Sequence, residues 1–515
     1  MWIATADRVR EIDRRASDEF GIPAKVLMER AGLAVFEEVR RFLPDLGHLC
    51  VFCGRGNNGG DGFVVARLAH AQGYGVDCLV AGEEADLSPQ ASEQMQTAKA
   101  AGVEPIYRSD ARWMPRADCV GCRDLIVDGL LGTGVKGEVQ GPILEAIQSI
   151  NRSGVPVIAV DVPSGIECDT GEELGESVWA LSTVTFGLPK PFLFQGIGLE
   201  HAGHWTVAEI GYPNALLNEP ADAQLVEEEW VSSLLPERLR ASHKGENGSI
   251  LIVAGSERMP GAATLAVRGA LRGGAGLVTI ASIPSVCRAV AGHVPEALLM
   301  PLPERDGAIA PEASAVLLEH QGRYHSALFG PGLTHEPSVK GFLEAVWAGW
   351  TRPCAIDADA LNALSEGLEL PKADCVLTPH PGEMGRLLHS CLMEIQADRF
   401  RTVGRAVAEF KQCALLKGPY TITGAPGQPM LVNCTGNPGL ASAGMGDVLG
   451  GLVATLLAQD LPPYYAASCA AYWHGLAGDL AACEMGPIGY LASDVADWLP
   501  RARAKIVGNC EQRPS

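Results

Sequence analysis

The sequence predicts an α/β protein in two successive units, each a largely parallel sheet with helices on both faces. Short apolar runs of strand length alternate with segments of helical periodicity along almost the whole chain. Polar or glycine-rich residues collect at the C-terminal ends of those runs, and in a parallel sheet all such ends lie on one edge, the usual ligand crevice. The alternation breaks once, over residues 212–240, which are irregular and rich in Asn, Pro and Glu. At 515 residues the chain also exceeds what one hydrophobic core serves. We therefore expect one domain over 1–217, a linker over 218–240 and a second domain over 241–515.

Taken in order, residues 5–41 read as two helices, the first capped by Thr5. Ile22-Pro23 precedes the second, whose Val26, Leu27, Leu33 and Val35 are grouped for burial. A buried strand at 49–52 leads into the glycine loop GRGNNGGDG at 54–62 and a helix at 63–72. Strand, glycine loop and helix form the arrangement that cradles phosphate. After a strand at 76–80 and a helix near 89–101, the strand at 125–127 ends in Asp128 and a second glycine loop, 129–138. The strand at 157–160 ends in Asp161-Val162-Pro163-Ser164-Gly165, and the sheet closes near 186–191 with a last strand around 205–210. Either aspartate alone suits a helix cap as well as chemistry. Together with Asn58 and Ser164, Asp128 and Asp161 supply hard oxygen ligands for an alkali or alkaline-earth cation. A cation beside a phosphate-binding loop favours the functional reading.

The second series starts with a strand at 249–254, between His243-Lys244-Gly245 and Gly255-Ser256, then an Ala-rich helix over 261–273 and a strand over 277–281. Strands at 327–329, 354–356, 376–377 and 414–416 end respectively in GPGL, DADALN, TPHPGE and Lys417-Gly418. This pattern resembles ribokinase-type enzymes, which bind ATP across such an edge. Residues 437–450, NPGLASAGMGDVLG, place glycines and one carboxylate at the opening of an apolar helical run over 448–457. A helix opening on glycines offers free N–H groups and a positive dipole end to an anion. Asp447 stands where phosphate would sit, so its work is proton handling at a hydroxyl or organisation of Mg²⁺; helix capping is the plainer alternative.

Composition narrows the classes. A net charge of −21 and the lack of a Lys/Arg cluster argue against a nucleic-acid partner, while a local amide nest still admits a phosphorylated ligand. The charged opening MWIATADRVREIDRR and the absence of a long apolar run point to a cytoplasmic protein without a membrane partner. Among fifteen cysteines, Cys50/Cys53 and Cys119/Cys122 have zinc-like spacing. Residues three apart on a strand face opposite ways, and the second pair lacks a third ligand nearby, so reduced thiols are expected.

On its motifs the chain resembles the bifunctional NAD(P)H-hydrate repair enzymes, an NAD(P)HX epimerase fused to an ADP- or ATP-dependent (S)-NAD(P)HX dehydratase. The first half carries NNGGDG from Asn57, VDxLLGTG from Val127 and VDxPSG from Val160. The second carries HKG, GAGLV, GPGL, DADALN, TPHPGE, LKG and NPGxASxGMGDVL, in family order. The resemblance implies a Rossmann-like three-layer domain followed by a ribokinase-like α/β domain. It further implies that Asn57, Asn58, Gly59, Gly60 and Asp61, with Gly132, Thr133, Gly134, Val135, Lys136, Gly137 and Glu138, hold NADHX or NADPHX in the first domain. Asn58, Asp128 and Ser164 are implied to bind K⁺, and Asp161 to transfer a proton during epimerisation. In the second domain Ala262, Gly332, His380 and Asp447 are implied to contact substrate, with Asp447 as base. Lys417, Gly418, Pro419, Tyr420, Thr421 and Gly446 are implied to contact ADP or ATP, supplied with Mg²⁺. A homo-oligomer is the expected assembly. The alternative permitted by the GxGD turn alone is a vitamin-precursor kinase with a regulatory dinucleotide-binding N-terminal domain; the wider motif set argues against it.

Overall fold

A computed structural model describes residues 1–118 and 120–508, and the chain divides into two compact units, Met1–Ala223 and the part from Gln224 on. Cys119 lies outside the described residues.

In the first unit seven strands run parallel: β1 His48–Cys53, β2 Gly75–Val80, β3 Pro105–Tyr107, β4 Leu125–Gly129, β5 Val157–Val160, β6 Ser182–Phe186 and β7 His204–Ala208. Their order is β3-β2-β1-β4-β5-β6-β7, so the sheet reverses direction of growth between β1 and β4. That switch point opens a crevice beyond the strand ends. Leu49, Val51 and Cys53 pack into one core and Cys50 and Phe52 into another, on opposite faces of β1. Cys50 and Cys53 therefore cannot close on one metal ion.

The helices Ala6–Asp18 and Ala24–Phe42 form as expected, with Thr5 Oγ1 accepting from Arg8 N–H at 3.4 Å. Burial in the second differs from expectation. Leu27, Met28, Ala31, Val35 and Val39 make the inner stripe, whereas Val26 and Leu33, seven residues apart on another face, are each 46% exposed. The helix after β1 begins at Asn57 rather than Phe63. Glycine's low helix propensity hides this start, but close packing demands it: a Cβ on Gly59 would run into the Gly54 carbonyl, and one on Gly60 would sit 2.6 Å from Met28 Sδ.

Much of the stretch expected as a linker is structured. Ala223–Val226 is a strand and Glu228–Leu234 a helix, and Val226, Val231 and Leu235 lie in the core of the second unit. Few apolar residues suffice there because each falls on the inward face.

The sheet of the second unit runs in the order Ala223–Val226, Met430–Asn433, Ile422–Gly424, Cys413–Leu416, Cys375–Leu377, Cys354–Ile356, Ser326–Phe329, Ser249–Val253, Leu277–Ser282, Leu298–Pro301. From Cys413–Leu416 to Leu298–Pro301 the pairing is parallel; Ile422–Gly424 is antiparallel to both neighbours. Pro260–Arg272, Met445–Ala458 and Ala492–Ile506 pack together, and Met445–Ala458 also lies on the central strands. That helix is apolar all round, with twelve of its residues buried, as befits an element between a sheet and other helices.

Candidate active site

The first unit gathers its polar residues at the ends of β1, β4 and β5. Asp128, fully buried, accepts from Ser164 Oγ–H and N–H (2.6 and 2.8 Å) and from Leu130 N–H (3.2 Å). Asn58 Nδ2 donates to the Leu131 carbonyl (2.7 Å), and Leu131 N–H donates to Ser164 Oγ (2.8 Å). Asn58, Asp128 and Ser164 thus share one locus, and Gly132 abuts it, since a Cβ there would lie 3.4 Å from Asn58 Oδ1. Burial pushes the Asp128 carboxyl up to about 6 although the Ser164 and Leu130 hydrogen bonds pull it down. Among the described residues no cationic side chain pairs with it, and its oxygens with those of Asn58 and Ser164 are of the hard type that suits an alkali or alkaline-earth cation.

Asp161 adopts φ 64°, a left-handed conformation that costs a non-glycine residue about 1–3 kcal/mol and persists only when over-determined. Its Oδ1 accepts from Thr185 Oγ1–H (3.0 Å), Phe186 N–H (3.1 Å) and Lys190 Nζ (2.6 Å). Lys190 is fully buried and also donates to Thr185 Oγ1 and the Phe186 carbonyl. One carboxylate oxygen is saturated and the other takes no hydrogen bond among the described residues. Burial, with Asp161 and Asp13 adding, holds the Asp61 carboxyl well above the usual range.

The remaining expected contacts of this unit are looser. Asn57, Gly59, Gly60 and Asp61 form the first turn of Asn57–Ala71, with Asn57 Oδ1 accepting from Ser88 Oγ–H. Thr133, Gly134, Val135, Lys136, Gly137 and Glu138 lie on an irregular loop where Gly134, Lys136, Gly137 and Glu138 are exposed. Glu138 lies against Gly175, where a Cβ would sit 3.0 Å from its Cγ.

In the second unit Lys417 donates to Asp357 Oδ1 at 2.7 Å and stands 3.8 Å from Glu383 Oε2. Burial alone would lower the lysine, but Asp357 and Glu383 outweigh it and hold it above its ordinary value. A Cβ on Gly446 would lie 3.3 Å from Lys417 Nζ and 3.6 Å from Asp357 Oδ2. Asp447 follows in the first turn of Met445–Ala458, entered through Gly444 at φ 87°. No donor among the described residues reaches its carboxylate. Burial, with Asp357 next in importance, pushes it up to about 7, against the pull of Lys417. This is a carboxyl poised to exchange a proton near neutrality.

His380 caps the helix Pro381–Leu387, its Nδ1 accepting from Gly382 N–H (3.0 Å) and Glu383 N–H (3.3 Å) while Glu383 Oε2 accepts from His380 N–H (2.8 Å). With Nδ1 an acceptor, the ring is neutral with its proton on Nε2; burial, with Lys417 next, lowers its basicity accordingly. Gly332, at φ 66°, approaches Ala262 so closely that a Cβ would lie 3.0 Å from the alanine methyl. Gly418 (φ 130°) and Tyr420 (φ 48°) shape the loop Lys417–Gly418–Pro419–Tyr420–Thr421, and Thr421 Oγ1 donates to the Gly418 carbonyl. Beneath it Arg399, fully buried, reaches the Leu416 and Tyr420 carbonyls, both at 3.5 Å.

Sequence reasoning quoted Asp357 and Glu383 within motifs without giving them a task, and it missed Lys190 and Arg399. Asp357 carried the signal that singled out Asp128, a carboxylate ending an apolar strand. Nothing local marks Lys190 or Arg399, because a buried cation is defined by partners distant in sequence.

Each unit of this α/β enzyme gathers a polar locus at the ends of its strands. Residues 24–192 match the family model described as YjeF-related protein N-terminus, and residues 250–501 the one described as NAD(P)H-hydrate dehydratase. The chain is 39% identical over 509 residues to the bifunctional NAD(P)H-hydrate repair enzyme of Moorella thermoacetica, covering 97% of this chain and 96% of that protein. To the Escherichia coli enzyme of the same name it is 36% identical, covering 97% and 93%. A crystal structure of a Streptococcus mutans protein matches with TM-score 0.50 and 24% identity over 55% of this chain and all of that one, a likeness of fold. The chain belongs to the bifunctional NAD(P)H-hydrate repair enzymes.

Proposed function

We propose that this protein repairs hydrated nicotinamide cofactors, interconverting (R)- and (S)-NAD(P)HX in its first unit and dehydrating the S form to NAD(P)H in its second. The observation that carries the reading is Asp447: a half-buried carboxylate that takes no hydrogen bond among the described residues, at the opening of a helix, beside Lys417 and Gly446. Free N–H groups of that first turn bind the transferring phosphoryl group. Asp447 takes the proton of the C6 hydroxyl as its oxygen attacks the terminal phosphorus, and the shortened nucleotide leaves. The C6–O bond then breaks, phosphate departs with the electron pair, and loss of a C5 proton restores the ring double bond. Lys417 offsets charge at the nucleotide, whose adenine end lies along Lys417, Gly418, Pro419, Tyr420 and Thr421. Asp357, Glu383 and Asp447 offer hard oxygens to Mg²⁺, which neutralises the phosphates when bound.

In the first unit Asp161, with Oδ1 fixed by three donors, presents its other oxygen to the hydroxylated ring as the proton-transfer group. Burial disfavours charge on Asp61, which lessens its repulsion of the dinucleotide phosphates. Asn58, Asp128 and Ser164 would hold K⁺, whose charge balances those phosphates. Cytoplasmic location and a homo-oligomeric state belong to the same reading; among the described residues no helix is long and apolar enough to cross a membrane. Supplying each separated epimer with ADP and with ATP tests the function and its donor. Recovery of reduced-nicotinamide absorbance is expected from both epimers, and none with either nucleotide would overturn the proposal.

A further inference from the structure

Resting on that reading, a dinucleotide whose nicotinamide end lies at Asp447 must send its adenosine end elsewhere, because the nucleotide loop at Lys417 is taken by the phosphoryl donor. Beside His380 the surface opens into a cavity of about 560 Å³ lined by Ser365, Gly382, Gly385, Arg386, His389 and Leu392, among others. Ligand pockets run about 300–1,000 Å³, so this open depression has room for a nucleoside with a phosphate. Gly382 and Arg386 lie on the helix that His380 caps, so the cavity continues from a residue already assigned to the substrate.

Its chemistry is selective. Arg386 donates through Nε to Asn362 Oδ1 at 2.8 Å, which fixes the guanidinium plane and leaves both terminal nitrogens without a partner among the described residues. The ring of His389 makes no hydrogen bond among the described residues, and its backbone is held at φ 49°. Leu392 is 57% exposed at the rim, an apolar face of the kind a purine covers. In a protein of net charge −21, Arg386 and His389 line the same depression and Arg386 has no carboxylate partner among the described residues, a donor set suited to a phosphate monoester. We propose that this cavity receives the adenosine end of the hydrated dinucleotide, with Arg386 and His389 on the 2′-phosphate that distinguishes NADPHX from NADHX.

The test uses the full chain and steady-state dehydration of purified (S)-NADPHX and (S)-NADHX at saturating phosphoryl donor. Losing a charge-assisted hydrogen bond from a guanidinium to phosphate costs about ten-fold or more in binding. Arg386→Glu is expected to raise KM for NADPHX at least that much, and by at least about ten-fold more than it raises KM for NADHX. His389→Glu, which breaks no internal hydrogen bond, is expected to act in the same direction. Adenosine 2′,5′-bisphosphate is expected to compete with NADPHX in the wild type and to lose potency in Arg386→Glu. Equal changes for both substrates in both variants, or competition by the bisphosphate against the phosphoryl donor instead, would overturn the assignment. If wild-type protein turned over neither substrate, the failure would lie with the repair reading and not with the cavity.

Discussion

Asp447 owes its titration to burial first and to two charged neighbours after it. Asp357 and burial raise it while Lys417 restrains the rise, so the carboxyl ionises near neutrality and the base form dominates only above about 7. The dehydration kcat/KM is therefore expected to fall about ten-fold per pH unit below that point in the free enzyme, a profile measured with (S)-NADHX. Asp447→Asn removes the base and should lower dehydration by about 10²–10⁴, with epimerisation untouched. The same substitution bears on stability. An aspartate near 3.8 when unfolded and near 7 when folded contributes stability below the lower value and loses it as pH rises through the upper. Asp447→Asn should thus raise the melting temperature at pH 8, by about 2 °C or more, and progressively less toward pH 5. A melting series over that range checks the sign.

At the scale of elements, both sites hang on close backbone approaches that only glycine allows. Gly59→Ala drives a methyl group into the Gly54 carbonyl and is expected to destabilise the first unit by about 2 kcal/mol or more while dehydration persists. Asp479 accepts from Gly436 N–H and Asn437 Nδ2–H, both at 2.9 Å, and so ties the turn before Asp447 to the helix Pro463–Met485. Asp479→Ala should reduce dehydration kcat by about ten-fold with the fold intact, read from kinetics beside a circular dichroism spectrum. These elements also mark what the sequence made legible. Strand ends at Asp128, Asp161, Lys417 and the 437–450 turn were readable because apolar runs stop abruptly at polar or glycine residues. The true start of the Asn57 helix was not, since propensity disfavours glycine and only tertiary packing restores it. Val26 and Leu33 deceived in the opposite sense, as apolar residues on an exposed face. Lys190 and Arg399 stayed hidden because their roles arise from Asp161 and from the Leu416 and Tyr420 carbonyls, which no local pattern links to them.

The whole molecule, as a bifunctional repair enzyme, carries two chemistries on one chain. Water adds to either face of the reduced ring, and a dehydratase that accepts only one product leaves half the damage unrepaired. An epimerase on the same polypeptide removes that limit. Each unit has its own core and its own strand-end crevice, so loss of one function should leave the other intact.

Recovery of NADH from the purified R epimer, followed with ADP and with ATP for wild type, Asp161→Ala, Asp447→Asn and an equimolar mixture of the two variants, tests this most directly. Wild type is expected to recover it, each variant alone to fail, and the mixture to regain activity because the S epimer made by one is dehydrated by the other. Wild-type recovery by Asp161→Ala alone, or by Asp447→Asn alone, would contradict the division of chemistry between the two sites.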